Sequence, residues 1–267
     1  MSIFDHIIIG QYIPGNSIIH RLDPRAKLLF VFAFVFVIFL ANNWITYGIL
    51  IGFTLLSVLL TSVPLSYILK GLKPIWWLII FTILLYLLTT KEGELLWKWG
   101  WFSVYEQGLV QAVFISLRLL LLVIAASLLT FTTSPIDVTD GLESLLSPFK
   151  KIGLPAHELA LMMSIALRFI PTIMEETEKI MKAQMARGAE FTTGSFGKRI
   201  KSFVPLLIPL FISAFRRAEE LAMAMEARGY RGGEGRTRYR KLTYHKRDIG
   251  LIFVFLGIVT SLFFFRT

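Results

Sequence analysis

Long stretches of apolar residues without a single charge give the chain its first outline. Residues 28–63 carry no charged side chain. As one helix these 36 residues would reach about 54 Å, far more than a hydrocarbon core of roughly 30 Å. The stretch "ANNW" (41–44) supplies a break, since two amides and an interfacial Trp suit a turn at the headgroups. The pattern predicts five membrane spans, at about 25–41, 44–63, 74–90, 107–132 and 249–265. The first opens at "LDPR", where Asp23 can cap the helix and Pro24 fits its first turn. The shortest spans would need tilt or local thinning.

Between the fourth and fifth spans the pattern changes from apolar to amphipathic. "TSPIDVTDGLESLLSPFKKIGLP" reads as a short capped helix ended by Pro148, with a turn at Gly153-Leu154-Pro155. The next helix, "HELALMMSIALRFIPTIMEETEKIMKAQMARG", is interrupted at Pro171, where a lost backbone bond predicts a kink. Beyond it Ile173, Met174, Thr177, Ile180, Met181 and Met185 share one face, and Glu175, Glu178, Lys179 and Lys182 the other. "FVPLLIPLFISAFRRAEELAMAMEARG" repeats the design, with Pro205 and Pro209 early in it. Phe211, Ala214, Ala218, Leu221 and Met225 form its expected packing seam. The expected organisation is residues 1–132 for spans one to four, 133–247 for a cytoplasmic region with two helices ending in Ala-Arg-Gly, and 248–267 for the last span.

Composition agrees with a membrane protein: 55% of residues are hydrophobic and only 17% charged, too apolar a balance for an ordinary soluble domain. The net charge of +10 is concentrated in loops of one side. His20, Arg21, Arg25 and Lys27 precede the first span, Lys70 and Lys73 follow the second, and most other basic residues follow the fourth. The positive-inside rule then places the N-terminus in the cytoplasm and the C-terminus outside. "MSIFDHIIIGQYIPGNS" lacks a basic leader and a cleavage site, so no removable signal peptide is expected. Arg118 is the one charge inside the fourth span, at a cost of roughly 2.5–3.5 kcal/mol on insertion scales. Snorkelling or pairing inside the bundle accounts for it better than a transport pathway, because no other span offers an acid.

Catalytic signals are sparse. Cys is absent, and the four His are scattered without metal-ligand spacing. "GSFGKR" lacks the spacing of a phosphate loop. The basic run "RGYRGGEGRTRYRKLTYHKR" reads as a cytoplasmic loop that sets topology rather than a nucleic-acid site. No internal duplication marks an inverted-repeat carrier. An integral-membrane enzyme gripping lipid or isoprenoid phosphates with Arg and Lys is the alternative. It would need clustered acids, and only Glu175, Glu176 and Glu178 are offered.

One motif recurs. Ala186-Arg187-Gly188 and Ala227-Arg228-Gly229 end the two amphipathic helices, and the arginines lie 41 residues apart. Each glycine suits a left-handed C-terminal cap, and each arginine favours the helix dipole by about 0.3–1 kcal/mol. The duplication on two helices of one design allows a second reading: two guanidinium forks presented to a partner with two equivalent pockets.

"GQYIPGNSIIHRLDPRAKLL", "TTSPIDVTDGLESLLSPFKKIGLP", "ALRFIPTIMEE", "AQMARG" and "AMEARGY" follow one another along nearly the whole chain. Together they resemble the transmembrane (T) subunit of energy-coupling factor transporters, the vitamin-uptake branch of the ABC transporters. The resemblance implies an all-α, multi-pass protein of a prokaryotic cell membrane. It implies a non-enzymatic subunit that joins two homologous cytosolic ATPases, of EcfA and EcfA' type, to a small membrane-embedded substrate-binding S component. ATP and Mg²⁺ would be bound by the ATPases and no cofactor by this chain. One Ala-Arg-Gly tip would dock in each ATPase. The Met-rich faces, with Met174, Met181, Met185, Phe211 and Met225, would contact the substrate-binding subunit and shift against it as the helices act as levers.

Overall fold

A computed structural model describes residues 12–99, 102–189, 196–233 and 241–266. The N-terminal stretch "MSIFDHIIIGQYIPGNS", "GSFGKR" and the basic run lie partly outside the described residues. The elements are α1 (Pro24–Ile38), α2 (Trp44–Leu60), α3 (Leu65–Leu72), α4 (Trp76–Thr89), β1 (Leu95–Trp99), β2 (Phe102–Tyr105), α5 (Glu106–Thr132), α6 (Pro135–Leu146), α7 (Ala156–Ala186), α8 (Phe196–Ala227) and α9 (Lys246–Phe265). The fold is all-α apart from one hairpin. By compactness the chain divides into two units. One comprises the described part of Glu143–Lys241, the other that of Gly10–Leu142 with Leu242–Thr267.

The second of these units holds the five expected spans as helices. Asp23 caps α1 by accepting from the Arg25 N–H at 2.9 Å, with Pro24 in the first turn. After Ile38 the backbone tightens, as Phe39, Leu40 and Ala41 donate to carbonyls three residues back. The apolar segment therefore ends at Ala41, and Asn43 opens α2 by donating its N–H to the Thr46 hydroxyl. Helix α5 packs against α1, α2, α3 and α4, and α9 packs against α1 and α2. Their shared core contains Phe34, Ile38, Tyr47, Leu50, Leu121 and Leu262. Hydroxyls inside the apolar helices bond backward to carbonyls four residues earlier, as Thr54, Ser116, Thr132 and Thr260 do. In hydrocarbon that gives each of these hydroxyls an acceptor within its own helix. On α4 Trp77, Phe81, Leu84 and Leu88 are exposed, as lipid-facing residues should be.

Three details differ from the pattern-based expectation. The third apolar helix begins earlier, because α3, a 3₁₀ turn at Lys73–Ile75 and α4 follow without a break, the turn accommodating Pro74. The aromatic stretch after α4 pairs into an antiparallel hairpin rather than a plain loop; its dense Trp, Phe, Val and Tyr content favours strands. Among the described residues four stretches are long and apolar enough to cross a membrane, Leu65–Thr89, Glu106–Thr132, Ala156–Ala186 and Lys246–Phe265, with Trp44–Leu60 a shorter apolar helix; α1, the first expected span, has only 15 residues and is not among them. The presence of α7 among them reflects its first half, which is apolar nearly all round, whereas its charges cluster after Pro171.

A buried polar junction ties α1, α5 and α9 together at one end of this unit. The Asp248 carboxylate, 1% exposed, accepts from the Asp23 N–H at 2.8 Å and from the His245 N–H at 2.7 Å. Lys27 donates to the His20 and Thr132 carbonyls at 3.2 and 2.9 Å and to the Thr133 hydroxyl at 3.3 Å. It thus satisfies a carbonyl at the C-terminal end of α5 that the helix itself leaves unpaired. Burial works against the Asp23 carboxylate, but hydrogen bonds from Arg25 outweigh it and hold its pKa below the ordinary value. Arg25 also lies 4.0 Å from the centre of the Tyr244 ring. Arg118 lies over the Phe39 ring at 4.9 Å, and its buried Nε has no hydrogen-bond partner among the described residues.

Candidate functional site

Both Ala-Arg-Gly motifs fold as the same helix end. Gly188 and Gly229 have φ of 87° and 71°, the left-handed region that a residue with a β-carbon avoids. At the end of α7, Gly188 N–H donates to Met185 and Ala189 N–H to Gln184, each at 3.0 Å. At the end of α8, Gly229 N–H donates to Glu226 at 2.8 Å and Tyr230 N–H to Met225 at 3.0 Å. These paired bonds are the Schellman motif, so the two tips share one backbone geometry. All six motif residues are exposed, and among the described residues nothing lies within 4 Å of where a β-carbon on either glycine would sit.

The bodies of α7 and α8 cross at a polar contact. Glu176 on α7 accepts from the Ser213 hydroxyl at 2.5 Å and from the Arg217 guanidinium at 3.0 Å. Earlier residues of α7, such as Ile165 and Phe169, face later residues of α8, such as Leu221 and Met225, across a shared groove. The helices therefore run antiparallel. Arg187 lies 11 residues beyond Glu176, and Arg228 lies 11 beyond Arg217. That is about 17 Å of helix in each arm, and antiparallel travel sends the two tips in opposite directions. The 41-residue interval between the tips equals the interval between the crossing partners. The repeat in the sequence is thus a symmetric pair of arms about one pivot. Pro171, Pro205 and Pro209 lie inside their helices but before the crossing, leaving both arms free of proline.

The structure separates the other candidate residues. Met181 is buried and packs within its unit, and Met174 is half-buried. Met225 lines the groove between α7 and α8. Met185 and Phe211 are exposed, Phe211 at 61%. The packing seam of α8 keeps Ala214, Leu221 and Met225 of the expected one and adds Ser213 and Arg217, while Phe211 and Ala218 are exposed. Phe211 belongs to an outward stripe with Val204, Ile208 and Phe215.

From the sequence, Glu176 enters only as one of three acids for the enzyme alternative, and Ser213 and Arg217 are not singled out, although a signal existed. Glu176 lies three residues after Ile173 and four before Ile180, inside the apolar face of α7. Arg217 lies three after Ala214 and four before Leu221, inside the seam of α8. Opposite charges placed within two apolar faces point to each other. No group of three or more His, Asp or Glu side chains able to hold a metal exists among the described residues.

Known proteins place these features in a family. The family model CbiQ, described as cobalt transport protein, matches residues 15–239. The chain is 64% identical to the energy-coupling factor transporter transmembrane protein EcfT of Brevibacillus brevis over 95% of this chain and 97% of the relative. The EcfT of Bacillus subtilis is 60% identical over 98% and 99%, and that of Acidaminococcus fermentans 56% over 97% of each. These relatives give no support to a lipid- or isoprenoid-phosphate enzyme. A multi-pass apolar helical chain, two identical capped tips and near full-length identity lead to one assignment: the chain belongs to the EcfT family of transmembrane proteins of energy-coupling factor transporters.

Proposed function

We propose that the chain is the non-catalytic coupling subunit of an ATP-driven importer. In this reading Ala186-Arg187-Gly188 docks in one cytosolic ABC ATPase and Ala227-Arg228-Gly229 in a second, homologous one. The observation that carries it is the equality of the arms: two tips of one geometry, each 11 residues from the Glu176–Arg217 crossing. Such a pair suits two related pockets. A guanidinium keeps its charge and can hold a carboxylate with two hydrogen bonds, and the small alanine beside it lets the tip enter a groove.

Closure of the ATPase pair, driven by ATP and Mg²⁺ bound there, would pull both arms about the shared pivot. The motion would reach a small membrane-embedded substrate-binding subunit through exposed apolar side chains. Phe211 and its neighbours Val204, Ile208 and Phe215, with Met185, are the surface available for that contact. The N-terminus and the coupling helices lie on the cytoplasmic side and the C-terminus outside, as the basic loops direct.

Affinity capture of the tagged chain from native membranes tests the assembly. The expected result is two ATPases and at least one small hydrophobic protein. In liposomes the chain alone should neither hydrolyse ATP nor transport substrate. Uptake by the chain alone would contradict the coupling role and favour a stand-alone carrier.

A further inference from the structure

The groove between the first half of α7 and the end of α8 has a volume of about 680 Å³. Three arginines line it: Arg168 from α7, Arg228 at the tip of α8, and Arg231 just beyond. No Asp or Glu is found among its described lining residues, and none of the three arginines forms a salt bridge among them. Three like charges around one concavity repel one another and focus a positive potential there, which a bound anion relieves.

The chemistry of the lining narrows the anion. One carboxylate has two oxygens and is matched by one guanidinium fork. Three arginines, with Ser164 also in the lining, carry more donors than one carboxylate can use but suit the several oxygens of a phosphate. The same groove is walled by Leu161, Ile165 and Phe169, and Met162, Met163 and Ile170 are exposed nearby on α7. An apolar wall beside a cationic pocket fits a ligand that carries both characters.

We propose that this groove is a phosphate-binding site that takes the headgroup phosphate of an anionic phospholipid or free phosphate. The proposal does not depend on ATPase docking. Arg228 is shared with the tip, so the test rests on Arg168 and Arg231.

The full chain, purified in dodecyl maltoside, would be titrated calorimetrically with dihexanoylphosphatidic acid, with dihexanoylglycerol and with sodium phosphate. The phosphatidic acid should bind saturably and at least tenfold more tightly than the dihexanoylglycerol, which lacks only the phosphate. The R168Q/R231Q variant should lose at least tenfold in affinity. K179Q, on the charged part of α7 and outside the groove lining, should bind like the wild type. Arg231 follows the helix, so R231Q alone provides a variant that leaves α7 intact, with a partial loss expected. Sodium phosphate binding as tightly as the lipid would assign the site to free phosphate. Weaker phosphate binding would assign it to the lipid headgroup. Equal phosphatidic acid affinity in wild type and R168Q/R231Q would overturn the proposal. So would unchanged lipid binding combined with weakened ATPase capture, which would give the groove to an acidic protein segment.

Discussion

At the scale of single residues, the buried junction around Asp248 and His20 gives the sharpest expectations. Asp248 receives two backbone N–H groups from separate segments while almost fully buried. Asp248→Ala leaves both donors without a partner and should cost about 2–3 kcal/mol. Asp248→Asn retains one acceptor oxygen and should lose less. Thermal unfolding in detergent checks both, and a neutral Asp248→Ala would mean the junction does not hold the helices. His20 gives a pH dependence. Its Nδ1 lies 2.6 Å from the Ser17 hydroxyl and its Nε2 3.0 Å from the Ile13 carbonyl. That arrangement suits a neutral ring that donates from Nε2 and accepts at Nδ1. Burial, aided by the nearby Lys27 charge and opposed by the Ile13 hydrogen bond, lowers its pKa below 6.5. The unfolded chain then binds the proton more readily, so the stabilisation is complete above pH 6.5 and is lost as pH falls through the folded value. The unfolding temperature should therefore drop on acidification below that point, and His20→Gln should flatten the drop.

At the scale of elements, the arms and their caps can be probed separately. An alanine forced into the left-handed conformation costs about 1–2 kcal/mol. Because no described residue crowds a β-carbon at Gly188 or Gly229, conformation sets the expected cost. Gly188→Ala and Gly229→Ala should leave the helix bodies intact and speed amide exchange at Ala189 and Tyr230 by about 5- to 30-fold. The crossing is expected to behave differently. Glu176 and Arg217 remain roughly a quarter to a third exposed, so their pair should add no more than about 1 kcal/mol of stability. Its effect belongs to coupling: Glu176→Arg or Arg217→Glu alone should lower ATP-driven uptake in the reconstituted assembly, and the charge-swapped double variant should recover it. Failure of the swap to recover uptake would remove the crossing from the mechanism.

These elements also show what the sequence could reveal. The caps at Asp23, Gly153, Gly188 and Gly229 depend on neighbours within a few residues, so local pattern was enough to find them. The Asp23–Asp248 contact joins positions 225 apart, and no local pattern encodes which buried carboxylate meets which N-terminus. The hairpin after α4 was hidden because aromatic content there suits a membrane interface as well as a strand. Phe211 was assigned to the packing seam because a spacing of three and four residues fits two overlapping faces of α8. The partner helix chooses between them.

At the scale of the molecule, apolar helices, a net charge of +10 and two arms of equal length are the features on which the proposed coupling role rests. The outward stripe of Val204, Ile208, Phe211 and Phe215 is long for a surface facing water. Phe211→Glu with Phe215→Glu should release the substrate-binding subunit from the assembly while both ATPases stay bound. Loss of the ATPases instead would place the stripe at the wrong interface. The central claim concerns the tips, and charge reversal tests it most directly. Arg187→Glu with Arg228→Glu should insert into the membrane normally yet lose both ATPases on affinity purification, each single variant losing chiefly one. Undiminished recovery of both ATPases with the double variant would contradict the account.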